Sequence, residues 1–234
     1  VNNGRATCSL GLDNPHLWNG KQDPYLYKAV TVLKKDGKEV DRVEEMTGLR
    51  YFWVDADKGF FLNGKHLKLQ GVCRHQDWAE IASALTVENH HADYDLFDEI
   101  GANALRLAHY PQAKFMFQEA DRRGYIVWEE IPFVGGYVDI PDFDENLRTQ
   151  LREMIIQNYN HPSICFWGLQ NEVHAEIDRI IGDLNDIAHE LDPGRLTTSA
   201  SDQEHTYFHI PDSQGWNKYF GWYYDTAPEL GPFL

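Results

Sequence analysis

Asn171-Glu172 closes the most informative stretch of the chain, Asn160-His-Pro-Ser-Ile-Cys-Phe-Trp-Gly-Leu-Gln-Asn-Glu172. His161-Pro162 ends a helix, residues 164–169 form a buried strand, and the two polar residues follow at its carboxyl end. A carboxyl group just beyond an apolar strand is partly desolvated, and desolvation favours the neutral form that a general acid must present. The amide of Asn171 suits a sugar hydroxyl. A plainer reading stands beside this one: Glu172 caps the next helix and Asn171 makes a turn. Ile100-Gly-Ala-Asn-Ala-Leu-Arg-Leu-Ala-His-Tyr-Pro111 brings Arg106, His109 and Tyr110 to a second strand end, and Gly71-Val-Cys-Arg-His-Gln-Asp77 brings His75 and Asp77 to a third. A guanidinium pointing into a core or its mouth must pair, most naturally with a carboxylate in the same cleft.

Such residues act together only if the elements carrying them converge. From about residue 60, short apolar strands alternate with helices. Strands are expected at Leu67 to Val72, Ala104 to Leu107, Ile126 to Trp128, Ser163 to Leu169, Leu196 to Ser199 and near Trp216 to Trp222. The clearest helix is Glu176 to Leu191, with apolar residues at spacings of three and four, stopped by Asp192-Pro193-Gly194. This alternation implies parallel βαβ units, hence an α/β fold, either a barrel or a doubly wound sheet. GxGxxG and GxxxxGK[ST] are absent, whereas polar groups follow nearly every strand, including Glu129-Glu130 and Ser201-Asp202. A (β/α)8 TIM barrel gathers all strand ends on one face, so a barrel is expected, with about six of its eight strands present. Residues 1–57 read differently: Tyr25-Leu-Tyr-Lys-Ala-Val-Thr-Val-Leu, a Lys35-Asp-Gly-Lys turn and an alternating Lys38-Glu-Val-Asp-Arg-Val-Glu give three or four antiparallel strands. They form the later part of an all-β sandwich, and residues 58–234 form the barrel domain.

The chain has 234 residues, with 42% hydrophobic and 13% aromatic residues, which excludes disorder. Its 21 Lys and Arg against 37 Asp and Glu give −16, a field that repels phosphate backbones and anionic lipid. No nucleic-acid or membrane partner is expected. No run approaches the roughly 18 apolar residues of a membrane span, and Val-Asn-Asn-Gly at the start lacks a signal pattern, so the chain as given reads as soluble. Cys8, Cys73 and Cys165 read as free thiols.

Asn-x-x-Arg-x-x-His-Tyr-Pro at 103–111 and Asn-His-Pro-Ser-x-x-x-Trp-Gly-x-x-Asn-Glu at 160–172 resemble the two signatures of glycoside hydrolase family 2. Gly71-Val-x-Arg-His75 and Asn217-x-Tyr-x-Gly-Trp-Tyr223 resemble the same family, and residues 14–55 resemble the tail of its immunoglobulin-like domain. The resemblance implies a retaining exo-β-glycosidase acting on a carbohydrate, without cofactor. It makes Glu172 the acid/base, places Asn171 on the sugar 2-hydroxyl, lines the sugar subsite with His75 and His109, and has Arg106 and Tyr219 position the nucleophile. Trp222 is the tryptophan best suited to stack on sugar. A β-galactosidase is the first expectation, with β-glucuronidase or β-mannosidase as alternatives; homo-oligomeric assembly stays open.

A retaining mechanism needs a second carboxylate about 5–5.5 Å from the first. The family carries it on a later strand, after Gly-Trp-Tyr, and no Glu-Tyr-Gly-like motif follows Tyr223. The nucleophile is therefore expected beyond Leu234, the chain is expected to be a piece of a longer protein, and a catalytically inactive sugar-binding fragment is the alternative for the piece itself. Leu107, Cys73 and Gln76 depart from the usual family residues, which bears on substrate preference. The family's Glu-x-His metal segment is here Glu129-Glu-Ile-Pro-Phe-Val-Gly, so no required metal is expected. Glu130 faces the cleft if Glu129 faces away. A metal-dependent hydrolase using His75, His109, Glu130 and Glu172 is the competing enzyme class. The pair His90-His91 reads as solvated.

Overall fold

The computed structural model describes residues 4, 6–229 and 231. After a 3-10 turn at Gly20–Gln22, its first strands are a hairpin, β1 (Tyr27–Lys35) and β2 (Lys38–Thr47), joined at the expected Asp36-Gly37 turn with Gly37 at φ +76°. β3 (Phe52–Asp55), β4 (Gly59–Leu62) and β5 (Lys65–His66) then form a separate antiparallel sheet.

The remaining strands make one parallel sheet in chain order: β6 (Gly71–Arg74), β7 (Ala104–Leu107), β8 (Ile126–Glu130), β9 (Ile164–Asn171), β10 (Leu196–Ser201) and β11 (Ser213–Trp216). Helices α1 (Val87–Glu99), α2 (Lys114–Arg123), α3 (Pro141–Asn158) and α4 (Asp178–Leu191) fill the first four connections. Neighbours in sequence are neighbours in space, the sheet curls, and the domain is a TIM-barrel fold.

Alternation along each strand separates two cores. Leu105, Leu107, Val127, Trp167 and Leu169 face outward and are buried under Tyr94, Met116, Phe117, Leu151 and Ile181 of the helices. Trp18, Phe60 and Leu62 pack against Ile126 and Cys165 at the amino ends of the strands, so the N-terminal segments form the barrel's floor. Gly168 is required by packing on the inner face: a Cβ there would stand 2.5 Å from Glu130 Cγ and from Trp128 Nε1.

Three local expectations are corrected. The first barrel strand lies at Gly71–Arg74, two residues beyond Leu69, and Leu67 and Leu69 pack against the floor instead. The last one is Ser213–Trp216, and residues 217–224 form loop and turn; Ser213 and Gln214 pair with Thr198 and Ser199 of β10, and their side chains bond the Thr197 and Phe208 carbonyls. His90 is buried within α1, its Nδ1 3.0 Å from Arg74 Nη2, while His91 is half-buried.

Candidate active site

Asn171 is the last residue of β9 and its backbone is clamped from both sides. Its N–H donates to the Phe133 carbonyl (2.9 Å), and the N–H of Glu172 donates to the Ala200 carbonyl beside β10 (2.9 Å). Glu172 sits at φ +51°, the left-handed region, a conformation costing a non-glycine residue about 1–3 kcal/mol and kept where the surroundings impose it. The strand's regular course thus ends in a turn that aims the Glu172 carboxylate across the carboxyl-terminal face.

Four side chains from four strand ends meet there. Arg106 donates from Nε to Glu130 Oε1, from Nη1 to Asn217 Oδ1 (2.9 Å) and from Nη2 to Asn171 Oδ1 (2.7 Å). Its guanidinium also lies over the Trp128 ring, 4.3 Å from the centroid. Glu130 is 1% exposed, and its second oxygen is 2.7 Å from His109 Nδ1. The partner demanded by Arg106 is therefore Glu130, on the cleft side of β8. Glu129 points the other way, fully buried, with Oε1 accepting from Asn158 Nδ2 (3.0 Å) and Oε2 without a partner among the described residues. Burial pushes its carboxyl well above the ordinary range, against the opposing pull of Arg195 and Asn158.

Glu172 Oε1 accepts from Asn217 Nδ2 (2.6 Å) and from the Tyr219 hydroxyl. Burial, then the Glu172 carboxylate, raises the Tyr219 phenol's pKa, so it stays a donor. Among the described residues, Glu172 Oε2 and Asn171 Nδ2 take no protein partner and are left for a ligand. His75 is exposed at the end of β6, its ring edge-on to His109 at 5.3 Å. Tyr110 receives the Gln76 N–H (3.0 Å) and tilts toward His75 at 6.0 Å. His75, Arg106, His109, Asn171, Glu172 and Tyr219 thus come together.

Trp222 stands apart: it is 78% exposed, on a turn, with its ring edge-on to Tyr223. Asp77 is exposed and outside the network. Asn217 and Glu130 belong to it, yet neither stood out as a primary candidate in the sequence. Asn217 follows a polar strand, and only the Asn217-x-Tyr spacing hints at it. Arg74, the buried arginine of the 71–77 motif, pairs instead with Asp93 (2.7 Å) and so ties the end of β6 to α1. Among the described residues, no three His, Cys, Asp or Glu side chains cluster as a metal site, and no helix is long and apolar enough to cross a membrane.

Comparison with known proteins places this arrangement in context. The model of the family described as "Glycosyl hydrolases family 2, TIM barrel domain" matches residues 54–230, and that of "Glycosyl hydrolases family 2" matches residues 1–50. A beta-glucuronidase of Bacteroides fragilis is 50% identical over 235 residues, covering 96% of this chain and 34% of its own length. The crystal structure of a putative beta-galactosidase from Bacteroides fragilis superposes with a TM-score of 0.89 at 42% identity, over 95% of this chain and 34% of that one. An FMN-binding beta-glucuronidase from Facaelibacterium prausnitzii L2-6 gives 0.89 at 38% identity, over 94% and 36%. The chain spans about a third of the length of each of these relatives.

Proposed function

The chain belongs to glycosyl hydrolase family 2, and from that membership we propose that it carries the acid/base side of the active site of a retaining exo-β-glycosidase. Glu172 is the acid/base in this reading. The observation that carries it is the half-buried Glu172 carboxyl at the end of β9, one oxygen held by two donors and the other left to the cleft. As the C1–O bond breaks, the Oε2 proton passes to the departing glycosidic oxygen, which keeps the bonding electron pair, while a second carboxylate bonds to C1. Water then attacks C1, gives its proton to Glu172, and the carboxylate leaves. Glu130 does not fit the second carboxylate, because Arg106 and His109 occupy both of its oxygens. Glu130 serves instead as the support of Arg106.

Asn171 Oδ1 is engaged by Arg106 and Asn217, which leaves its amide N–H to a sugar hydroxyl. His75 and His109 border the same space. Among the sugars, a β-glucuronide is favoured over the β-galactoside expected from sequence, because the relative at 50% identity is named a beta-glucuronidase. Residues 1–57 fit the later strands of an immunoglobulin-like sandwich: Leu33 and Val43, on one face of the β1–β2 hairpin, are half exposed, as residues awaiting a second sheet would be.

Hydrolysis of aryl β-glucuronide and β-galactoside by the whole protein, with and without Glu172→Gln, tests this. Loss of roughly 10²–10⁴-fold in kcat with a glucuronide preference is expected. Unchanged turnover in Glu172→Gln refutes the assignment. Activity of the isolated 234-residue chain that depends on Glu172 refutes an external nucleophile, and tight sugar binding without turnover by the whole protein favours a binding module.

A further inference from the structure

Asn217 follows β11 directly, and its N–H donates to the Ser201 carbonyl (2.9 Å), which fixes its backbone against the end of β10. Its carboxamide lies between two opposite charges. Oδ1 accepts from Arg106 Nη1 at 2.9 Å, and Nδ2 donates to Glu172 Oε1 at 2.6 Å and to Asn171 Oδ1 at 2.8 Å. Turned over, it would set its oxygen against the Glu172 carboxylate and its NH2 against the guanidinium. The charges at both ends therefore fix one orientation. Arg106 is itself immobilised by buried Glu130 and by the Trp128 face. Glu130, Arg106, Asn217 and Glu172 form one line of contacts from the inner wall of β8 to the acid/base.

We propose that Asn217 is a positioning residue that decides which oxygen of Glu172 carries the catalytic proton. By donating to Oε1 it keeps that oxygen an acceptor, so the proton resides on Oε2, facing the cleft. Tyr219 also donates to Oε1, but its hydroxyl rotates and can accept as well as donate, whereas the NH2 of Asn217 only donates. The inference rests on Glu172 being the acid/base.

Losing this control should affect proton delivery rather than sugar binding, and that is measurable. In the whole protein, kcat/KM is compared for a phenyl glycoside, whose leaving group needs a proton, and a 2,4-dinitrophenyl glycoside, whose leaving group does not. Asn217→Asp keeps the oxygen that accepts from Arg106 and loses the donor; Asn217→Ala removes both. Each is expected to lose roughly 10–100-fold on the phenyl glycoside, part of what general acid catalysis supplies, and little on the dinitrophenyl one. Retained dinitrophenyl activity also shows that the variant is folded. Equal losses on both substrates would mean a structural role and overturn the proposal. Glu172→Gln serves as reference: if it discriminates between the substrates and the Asn217 variants behave as wild type, the proposal alone falls. If Glu172→Gln does not discriminate, the acid/base reading falls and this inference with it.

Discussion

Arg106 shows how much one side chain organises. It gives hydrogen bonds to Glu130, Asn171 and Asn217 and stacks on Trp128, a set that only a planar fork can meet at once. Arg106→Lys keeps the charge and loses the fork, so kcat/KM of the whole protein is expected to fall by roughly 10²-fold, as misplacing a catalytic group does, with little change in melting temperature. Equal activity in that variant would mean that charge alone suffices. Glu129, the neighbouring carboxyl turned to the helices, acts on stability instead. Its folded pKa is raised above the ordinary 4.5 by burial, so the folded protein keeps a proton that the unfolded chain releases. Its contribution is fully present below about pH 4.5 and is lost as pH rises toward the folded value. Urea titrations at pH 4.5 and 8 should therefore show a smaller loss of stability with rising pH in Glu129→Gln than in wild type, and identical pH dependence would place the proton elsewhere. That the two carboxyls face opposite sides was readable, because adjacent residues on a strand point to opposite faces, whereas which of them meets the cleft was not. Asn217 could not be singled out in the same way, since its partners lie 45, 46 and 111 positions away and only folding joins them.

Among the elements, β7 matches its expected span at Ala104–Leu107, and α4 begins two residues later than its periodicity suggests. Both carry a pattern that tertiary contacts reinforce. The aromatic run Trp216 to Tyr224 carried the opposite message. Its residues have high β-propensity, but the strand forms just before it, from Ser213-Gln-Gly-Trp, because Gly215 admits the Trp128 ring, which would stand 2.6 Å from a Cβ. Propensity lost to a steric requirement from a strand three positions away in the sheet. His90 was misread for a related reason: a histidine pair looks solvated until Arg74 arrives from β6. The clearest element-level test is Gly124, which ends α2 at φ +76° in the left-handed cap. A Cβ there would lie 2.2 Å from the Gly20 carbonyl carbon. Gly124→Ala combines backbone strain with that collision and is expected to cost at least about 1–3 kcal/mol in chemical denaturation. A neutral result would show that the Gly20–Gln22 turn yields freely.

At the scale of the molecule, the N-terminal segment and the barrel are joined by buried contacts. Trp18 is fully buried, donates from Nε1 to the Asp121 carbonyl of α2 (2.8 Å), and its own carbonyl receives Asn63 Nδ2 (3.0 Å). Arg50 reaches under the barrel to the carbonyls of Pro162 (3.0 Å) and Ile164 (2.7 Å), at the entry to the strand that ends just before Glu172. Gly48 lies between Trp18 and Pro162 with no room for a side chain, since a Cβ would be 2.8 Å from each. The floor of the barrel is therefore supplied by residues outside the parallel sheet, and β9, which carries Glu172 just beyond its last residue, is anchored at its far end by Arg50. Trp18→Ala removes the largest side chain of that floor and leaves a cavity, so it is expected to cost about 3–5 kcal/mol. Its effect should reach the barrel: thermal unfolding followed by helix ellipticity and by tryptophan fluorescence should coincide in wild type and shift together in the variant. If helix ellipticity kept its wild-type midpoint while fluorescence shifted, the floor would be a separately folding appendage, and the anchoring of β9 through Arg50 would play no part in holding the site.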